Sequence, residues 1–428
     1  MTGPEPRPWW ARIFFWVPVP AGITRRQWTM LGVLGATFLV NAYDLGILNL
    51  ALAQIQKSFA LSEQDIGKLA AFVRLGILPA FALGVLADRL GRRRLLLLTI
   101  VGFTLCTFLT SFTRTATEFA VLQFFARTFV YAEDILAIVV VTEELEPHAR
   151  GWGIGLMIAF GALGHGLSAL MFSAVNHLPF EWRALYFLGA APLLLIAWMR
   201  RSLEETGRFR ASAARHDPLA QSYAAPIAKL IARYPGRVAA ISAALVPVAF
   251  AGGTAIQFQS KFLQSVHGYA PGDVSLLFLM GGPLAMTGGL LFGRASDRFG
   301  RRRVLSAAIL VNVAATIAFY NSPGRIVPLV WVLTIFTQFG IDVLFGALGS
   351  ELFATAHRSS ASGVRSIVST LAIATGLTVE GTLFVALGSH AAAITAMAWA
   401  ALASPVILLA FVPETAGRVL EEIAPDED

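Results

Sequence analysis

The sequence predicts an all-α integral membrane protein with twelve transmembrane helices in two pseudo-symmetric bundles of six. Apolar residues make up 56% of the 428 residues and charged residues only 14%, whereas soluble proteins carry about 25% charged residues. Many apolar runs exceed the roughly 18 residues that cross a bilayer. A polar segment at residues 84–94 recurs at residues 293–303, again between apolar runs, which indicates a duplicated unit.

The two copies of this segment share a glycine, an Asp-Arg pair, a second glycine and three arginines, at an offset of 209 residues. A second pair of loops supports the duplication. Residues 144–151 and 351–358 each begin with Glu-Leu and contain His and Arg, at an offset of 207 residues. Loop motifs that stay in register over half of the chain are poorly explained by chance.

The spans are predicted to be helices, because an open strand edge cannot satisfy its backbone groups in lipid. The predicted spans are residues 28–55, 65–87, 94–113, 117–141, 151–175, 183–200, 237–262, 271–293, 303–321, 325–352, 361–387 and 390–411. They define five regions: an N-terminal segment (1–27), a six-helix bundle (28–200), a cytoplasmic linker (201–236), a second bundle (237–411) and a tail (412–428).

The N-terminal segment combines tryptophans, phenylalanines and arginines, a mixture typical of chain at the headgroup level. A disordered tail is the alternative. The basic residues orient the protein: with a cytoplasmic N-terminus, 25 of the 33 Lys and Arg residues fall on the cytoplasmic side and six on the other. This asymmetry predicts that both termini are cytoplasmic. The Ala-, Arg- and Gly-rich composition favours a bacterial inner membrane.

Composition also excludes several classes of function. The net charge of +7 does not indicate nucleic-acid binding, because the arginines lie in short loops between spans. Cys106 is the single cysteine, so an intramolecular disulfide and a cysteine metal cluster are excluded. The sequence contains no Walker-type loop, no Cys/His metal spacing and no Ser-nucleophile elbow. We therefore expect no enzyme activity, no metal and no cofactor.

The Gly-x-x-x-Asp-Arg-x-Gly-Arg-Arg-Arg motif between spans two and three, repeated between spans eight and nine, resembles the signature loop of the major facilitator superfamily of transporters. The Pro-Glu-Thr-x-Gly stretch from Pro413 is similar to the ending of the sugar-porter branch, and the Glu…Arg-Gly loop after span four is similar to that of the sugar porters and the related organic-ion and aromatic-acid proton symporters. The resemblance covers nearly all of residues 28–423. It implies the major facilitator fold and transport by alternating access.

In that superfamily the loop motifs latch the two halves on the cytoplasmic side. The resemblance therefore implies that Asp88 meets the start of span eleven near Arg365, and that Asp297 meets the start of span five near Arg150. The alternative is that the arginines only set the topology. The residues assigned to the latch are Gly84, Asp88, Arg89, Gly91, Arg92, Glu144, Arg150, Asp297, Arg298, Arg301, Glu351, Arg358 and Arg365.

Charged residues inside the spans are candidates for function, because each costs about 2.5–3.5 kcal/mol on insertion scales. Asn41 and Asp44 are three residues apart and share a helical face in span one. In span four, Arg127, Tyr131 and Asp134 share a face. The neighbouring Glu133 lies about a quarter turn away.

Related symporters resemble this arrangement, with an Asp in span one that takes up the coupling proton and an Arg in span four that modulates it. The resemblance assigns these roles to Asp44 and Arg127. A permanent structural ion pair is the alternative. The sequence departs from the family pattern after Arg127, where residues 128–134 contain no glycine. Glu133 or Asp134 is therefore a second candidate for the proton site.

Spans one, four, seven and ten line the central cavity in the superfamily. Polar residues in these and neighbouring spans are candidates for substrate binding, with interhelical packing as the alternative for the glutamines and for the histidine. The candidates are Asn41, Arg74, Tyr131, His165, Gln257, Gln259, Lys261, Trp331, Gln338, Asp342 and Glu380.

These observations predict a secondary transporter, coupled to protons, that moves a sugar, a polyol or an organic acid. Arginines in spans two and four favour an anion, whereas the excess of buried acids favours a neutral or cationic solute. We expect a monomer whose partners are the small-molecule substrate, protons and membrane lipids. The alternatives are an efflux antiporter for drugs or lipids and a non-transporting sensor on a transporter scaffold.

Overall fold

The computed structural model describes residues 8–14, 19–90, 92–200, 224–354 and 357–417, without the side chains of residues 13–14, 84–90, 92–93, 147, 197–200 and 224–225. Most of the described residues are helical. The helices are α1 Arg25–Leu50, α2 Leu52–Ser58, α3 Glu63–Arg74, α4 Ile77–Leu90, α5 Arg92–Thr110, α6 Ala116–Glu144, α7 Pro147–Ser173, α8 Trp182–Arg200, α9 Ala224–Arg233, α10 Pro235–Val248, α11 Thr254–Ser265, α12 Pro271–Phe299, α13 Arg301–Asn321, α14 Val327–Glu351, α15 Arg358–Leu387, α16 His390–Ala400 and α17 Ala403–Phe411.

These helices account for the predicted spans. Among the described residues, nine segments are long and apolar enough to cross a membrane, and Arg94–Thr110 and Trp182–Ile196 are shorter apolar helices. The remaining predicted span is α6, which is 29 residues long but contains three charged residues near its middle. The expected all-helical fold is therefore confirmed.

Two predicted spans are interrupted where proline removes a hydrogen bond. Span two divides at Leu75 and Gly76, and span twelve divides at Ala401 and Leu402. In each case a proline lies four residues beyond the first residue of the break (Pro79 or Pro405). Its ring removes the donor to the carbonyl four residues earlier and crowds that carbonyl. Helix boundaries read from apolar runs miss such breaks, because the prolines are themselves apolar.

Spans one and seven are also irregular. Span one ends at Leu50, and its carbonyl oxygen accepts hydrogen bonds from Ser260 Oγ (2.8 Å) and Gln264 Nε2 (3.2 Å). The chain then continues as α2. In span seven a π-helical segment, Ala249–Gly253, separates α10 from α11 and follows Pro247. Such segments are frequent at functional sites.

The chain divides into two compact units, Met1–Leu48 with Gly76–Gln221, and Asn49–Leu75 with Ser222–Asp428. In the first unit, buried Leu31, Leu136 and Met157 join α1, α6 and α7. A second cluster, in which Ile100, Val130 and Leu193 are fully buried, joins α5, α6 and α8.

The second unit contains the C-terminal helices together with α2 and α3 from the first half of the sequence. Within this unit the most extensive helix packing is between α12 and α14, between α13 and α14, and between α3 and α15. Phe258, Leu377 and Ile394 are fully buried in it. The chain therefore changes unit twice within the first 76 residues, at the irregular ends of α1 and α3.

The described part of the N-terminal segment packs on the first unit. Residues Trp9–Phe14 form a 3₁₀-helix. The ring of Trp10 lies 5.5 Å from that of Trp28 and 5.6 Å from that of Phe160. Aromatic pairs in such tilted and edge-to-face geometries contribute about 0.5–1.5 kcal/mol beyond the area they bury. This region of the segment is therefore ordered against α1 and α7.

Close packing of α7 against α1 gives a first prediction. A Cβ atom on Gly164 would lie 2.0 Å from the carbonyl oxygen of Leu39, whereas one on Gly161 would meet only a methyl group at 4.0 Å. We expect Gly164→Ala to lower stability by about 1–3 kcal/mol, the usual cost of overpacking. The matched variant Gly161→Ala, one turn earlier on α7, should stay near the parent value. Thermal unfolding in detergent measures both, and equal melting temperatures would refute this packing.

Candidate functional site

The centre of the first unit contains an ion pair between α1 and α6. Arg127 Nη1 lies 3.2 Å from Asp44 Oδ2, and their side chains are 2% and 1% exposed. The two atoms are not aligned as a hydrogen bond, and neither has another hydrogen-bond partner among the described residues. A buried pair with such loose geometry gains less than a bidentate pair, so opening it costs less.

Neutral polar groups complete this environment. Thr107 Oγ1 on α5 donates to Asp44 Oδ1 at 3.4 Å, and Arg127 Nη2 donates to the Asp44 carbonyl oxygen at 3.4 Å and to Gln123 Oε1 at 3.5 Å. Gln123 Nε2 in turn donates to Thr110 Oγ1 at 3.2 Å. These long contacts position the arginine without fully satisfying it.

A second polar contact lies beside the ion pair. Asn41 Nδ2 donates to Asp134 Oδ1 at 2.7 Å. The two α1 residues therefore meet the two α6 residues in antiparallel order, with position 41 opposite 134 and position 44 opposite 127. The predicted polar faces of α1 and α6 thus face each other. Tyr131, on the same face of α6, is half-buried.

Glu133 points elsewhere. Its side chain is 1% exposed and accepts a hydrogen bond from Thr99 Oγ1 on α5. The contact sets Glu133 apart from Asp134, as the predicted quarter turn implies. The structure therefore separates two carboxylates that are adjacent in sequence: one meets α1 and the other meets α5.

His165 on α7 lies next to the α1 turn that contains Asp44. A Cβ atom on Gly46 would lie 3.4 Å from His165 Nδ1 and 2.1 Å from Ser168 Oγ. Ser168 Oγ donates to the His165 carbonyl oxygen at 2.7 Å. The His165 side chain is exposed at the surface of the chain, and it is a polar group close to the buried pair.

The candidate residues of the second unit form separate contacts. Trp331 Nε1 donates to Gln259 Oε1 at 3.0 Å, and both side chains are buried. Gln338 Nε2 donates to Asp342 Oδ1 at 3.1 Å, and Asp342 is exposed. Gln257 on α11 is buried, and Arg74, at the end of α3, is half-buried.

Lys261 and Glu380 belong to a cluster that the sequence did not reveal. Lys261 Nζ contacts Glu63 Oε2 and lies 3.0 Å from His390 Nε2. His390 Nδ1 lies 2.5 Å from Glu380 Oε1, and His390 Nε2 lies 3.1 Å from Glu63 Oε2. All four residues belong to the second unit.

The second copy of the arginine motif forms an ion network on α12, α13 and α14. Arg301 Nη1 lies 2.5 Å from Asp297 Oδ1. Its Nε lies 3.2 Å from both Glu351 oxygens, and its Nη2 lies 3.0 Å from Glu351 Oε1. Glu414, after α17, accepts hydrogen bonds from the backbone N–H groups of Arg301 (2.7 Å) and Arg302 (3.3 Å).

The other latch candidates are only partly described. In the first motif copy, Gly91 and the side chains of residues 84–90 and 92–93, including Asp88, Arg89 and Arg92, lie outside the description, and with them the predicted Asp88–Arg365 contact. Glu144 lies 3.6 Å from Arg26, and Arg150 Nε donates to the Leu145 carbonyl oxygen at 3.2 Å. Arg298 is exposed, and Arg358 and Arg365 are half-buried.

Sequence reasoning missed several residues for an identifiable reason. Thr107 and Gln123 are uncharged and lie within apolar helices, where such residues are common. Glu63 and His390 are each the first residue of a helix, a position that suggests a cap rather than a buried ion pair. One available signal was Glu414, since its Pro-Glu-Thr stretch echoes residues 204–206.

Comparison with known proteins extends the fold to a family. The model of the Major Facilitator Superfamily matches residues 34–289 and 258–425. The chain is 26% identical over 394 residues, 90% of both chains, to the "Probable 4-methylmuconolactone transporter" of Cupriavidus pinatubonensis. It is also 26% identical to the niacin transporter NiaP of Acinetobacter baylyi, over 186 residues. This match covers 43% of this chain and 42% of that protein.

A solved structure shows the same fold. The D-xylose-proton symporter superposes with a TM-score of 0.76 at 18% identity, covering 91% of this chain and 99% of that one. The predicted fold class and the resemblance stated from the loop motifs are thereby confirmed. The family model covers both halves of the sequence, and the chain belongs to the Major Facilitator Superfamily.

Proposed function

We propose that this chain is a proton-coupled symporter of small organic acids, with Asp44 as the proton site and Arg127 as the group that couples it to the anion. Membership of the superfamily makes the chain a secondary transporter in the membrane and not an enzyme, as predicted. The observation that supports the coupling proposal is the buried, loosely aligned Asp44–Arg127 pair.

The coupling follows from charge balance. While Asp44 is ionised, it neutralises Arg127, and an incoming anion finds no net positive charge. A proton on Asp44 removes that compensation and leaves Arg127 as an unpaired buried cation, which attracts an anion strongly in a medium of low dielectric constant. Proton and anion therefore bind cooperatively, and linkage requires that each raises the affinity for the other equally.

The substrate class comes from chemistry and from the relatives. Niacin is an aromatic carboxylic acid and methylmuconolactone carries a carboxylate, and the relatives in question are named as their transporters. A flat carboxylate of this size would place its charge toward Arg127 and its ring among the apolar residues of the spans. His165 and Tyr131 are the neighbouring polar groups that we assign to contact with the substrate.

The roles of Asp134 and of the second unit complete the proposal. Asp134 is held by Asn41, and we assign it a positioning role for α1 against α6. Gln257, Gln259 and Gln338 are assigned to the substrate side of the second unit. We further propose that both termini face the cytoplasm of a bacterial cell, since this orientation puts 25 of the 33 Lys and Arg residues on the cytoplasmic side. We also propose that the protein works as a monomer.

Flux measurements test the function. Purified protein in liposomes should accumulate labelled nicotinate or benzoate when the outside is made acidic, and should not accumulate D-xylose. Asp44→Asn should abolish accumulation driven by the pH gradient, because the side chain no longer binds a proton. The control Asp273→Asn changes an exposed carboxylate that caps α12 and should leave uptake unchanged. Uptake that ignores both the gradient and the Asp44→Asn change would refute the proposal.

A further inference from the structure

The charged cluster in the second unit lies apart from the site proposed for transport. Its four members come from four helices: Glu63 from α3, Lys261 from α11, Glu380 from α15 and His390 from α16. The side chains of Lys261, Glu380 and His390 are 2%, 0% and 5% exposed, whereas Glu63 is 26% exposed. Three buried charges thus reach solvent through one carboxylate.

The contacts of His390 are compatible with two proton arrangements. In the first, an imidazolium donates from Nδ1 to Glu380 (2.5 Å) and from Nε2 to Glu63 (3.1 Å). In the second, a neutral ring donates from Nδ1 to Glu380, while Nε2 accepts from Lys261 Nζ at 3.0 Å. The arrangements differ by one proton and require no movement of heavy atoms.

The two arrangements differ in charge. Two ionised carboxylates, a lysine and an imidazolium sum to zero, whereas the neutral ring leaves the cluster with a charge of −1. An uncompensated buried charge is strongly unfavourable. The titratable groups that face His390 from the surrounding helices are Glu63, Lys261 and Glu380, with Tyr320 of α13 donating to the Ala255 carbonyl oxygen nearby at 2.6 Å. None of these groups supplies a positive charge that would replace the one lost from the imidazolium.

The cluster lies where α3 is packed most tightly on α15. A Cβ atom on Gly67 would lie 2.6 Å from the Leu377 carbonyl oxygen, and one on Gly381 would lie 2.8 Å from Gln64 Cα. The two backbones are in direct contact within one turn of Glu63 and Glu380. Because no side chains separate them, a change of charge at the cluster acts directly on the contact between the two helices.

We propose that Glu63, Lys261, His390 and Glu380 form a one-proton switch that holds α3 against α11, α15 and α16 and releases it when the proton leaves. The helix α3 belongs to the first half of the sequence, whereas α11, α15 and α16 belong to the second. Release of α3 would therefore separate these parts of the two sequence halves. Only the assignment of this motion to a transport cycle rests on the proposed function.

The test measures the position of α3 without any substrate. Spin labels are attached at Lys68→Cys on α3 and Leu387→Cys at the end of α15, both exposed positions, in a Cys106→Ala background in lipid nanodiscs. Double electron–electron resonance measures the distribution of distances between the two labels from pH 5.5 to pH 8.5. We expect one short distance at acidic pH and a growing longer component at alkaline pH. The ratio of the two should change by at most about tenfold per pH unit, as one-proton linkage requires.

Variants assign the proton. His390→Gln should make the distribution independent of pH, and Glu380→Gln should shift its midpoint. The control His267→Gln replaces a histidine that lies outside the cluster and packs against Phe262 and Tyr269, and it should keep the parent response. A parent distribution that does not change with pH would overturn the proposal. So would a pH response that survives in His390→Gln, or a midpoint that is unchanged in Glu380→Gln. If the parent protein shows the pH-dependent change in distance but no nicotinate flux, the proposed function alone is refuted.

Discussion

Replacing Arg127 with methionine is expected to give one of the largest effects on both stability and transport. Methionine keeps much of the side-chain volume but leaves Asp44 buried without a cation. Breaking a buried pair from one side costs about 3–5 kcal/mol. We therefore expect a large drop in melting temperature and no uptake driven by a pH gradient.

The double variant separates the ion pair from packing. In Asp44→Asn with Arg127→Met, neither charge remains, so stability should recover most of what the Arg127→Met single variant loses, while proton-coupled uptake stays absent. The control Arg325→Met removes an exposed arginine and should change stability by less than about 0.5 kcal/mol. Losses that simply add in the double variant would show that the two side chains are not coupled.

The second large effect is expected at Arg301. Its planar fork contacts both Glu351 oxygens and also Asp297. A lysine can replace only one of these contacts. Hydrogen bonds to charged groups contribute about 1.5–3 kcal/mol each. Arg301→Lys should therefore shift the equilibrium between the two states of the alternating-access cycle about tenfold or more. The initial uptake rate should fall to a similar extent.

The chain provides a matched control two residues away. Arg303 belongs to the same run of three arginines, but its side chain is exposed. Arg303→Lys should transport at the parent rate, and so the comparison tests the network rather than the charge. Equal rates for Arg301→Lys and the parent would contradict a role of this network in transport. Equally reduced rates in the two variants would show that transport depends on arginine anywhere in this run and not on the contacts of Arg301.

The sequence was sufficient for the fold because a bilayer leaves few solutions for long apolar runs. The duplicated loop motif supplied the symmetry, and the three- and four-residue spacing of Asn41, Asp44, Arg127 and Asp134 predicted two polar faces that the structure brings together. Such spacing is informative because a charged residue in a span must face protein or water.

The sequence could not supply contacts that depend on the path of the chain between units. The sequence predicts Lys261 and Glu380 as substrate-binding residues, and their contacts with Glu63 and His390 become visible only in the structure. Residues 63 and 261 are 198 positions apart, and they meet only because α3 packs in the second unit. The breaks at Leu75 and Ala401 could not be predicted from the apolar runs either, because a proline does not interrupt such a run.

Proton uptake on substrate binding tests the central claim most directly. Purified protein in weakly buffered detergent solution at pH 7, with a pH indicator, is mixed with nicotinate or benzoate. Because protonation of Asp44 and binding of the anion are proposed to be linked, the parent should take up protons, at most about one per protein. Asp44→Asn should take up none. Binding of the anion, seen as thermal stabilisation, without proton uptake by the parent would contradict the account.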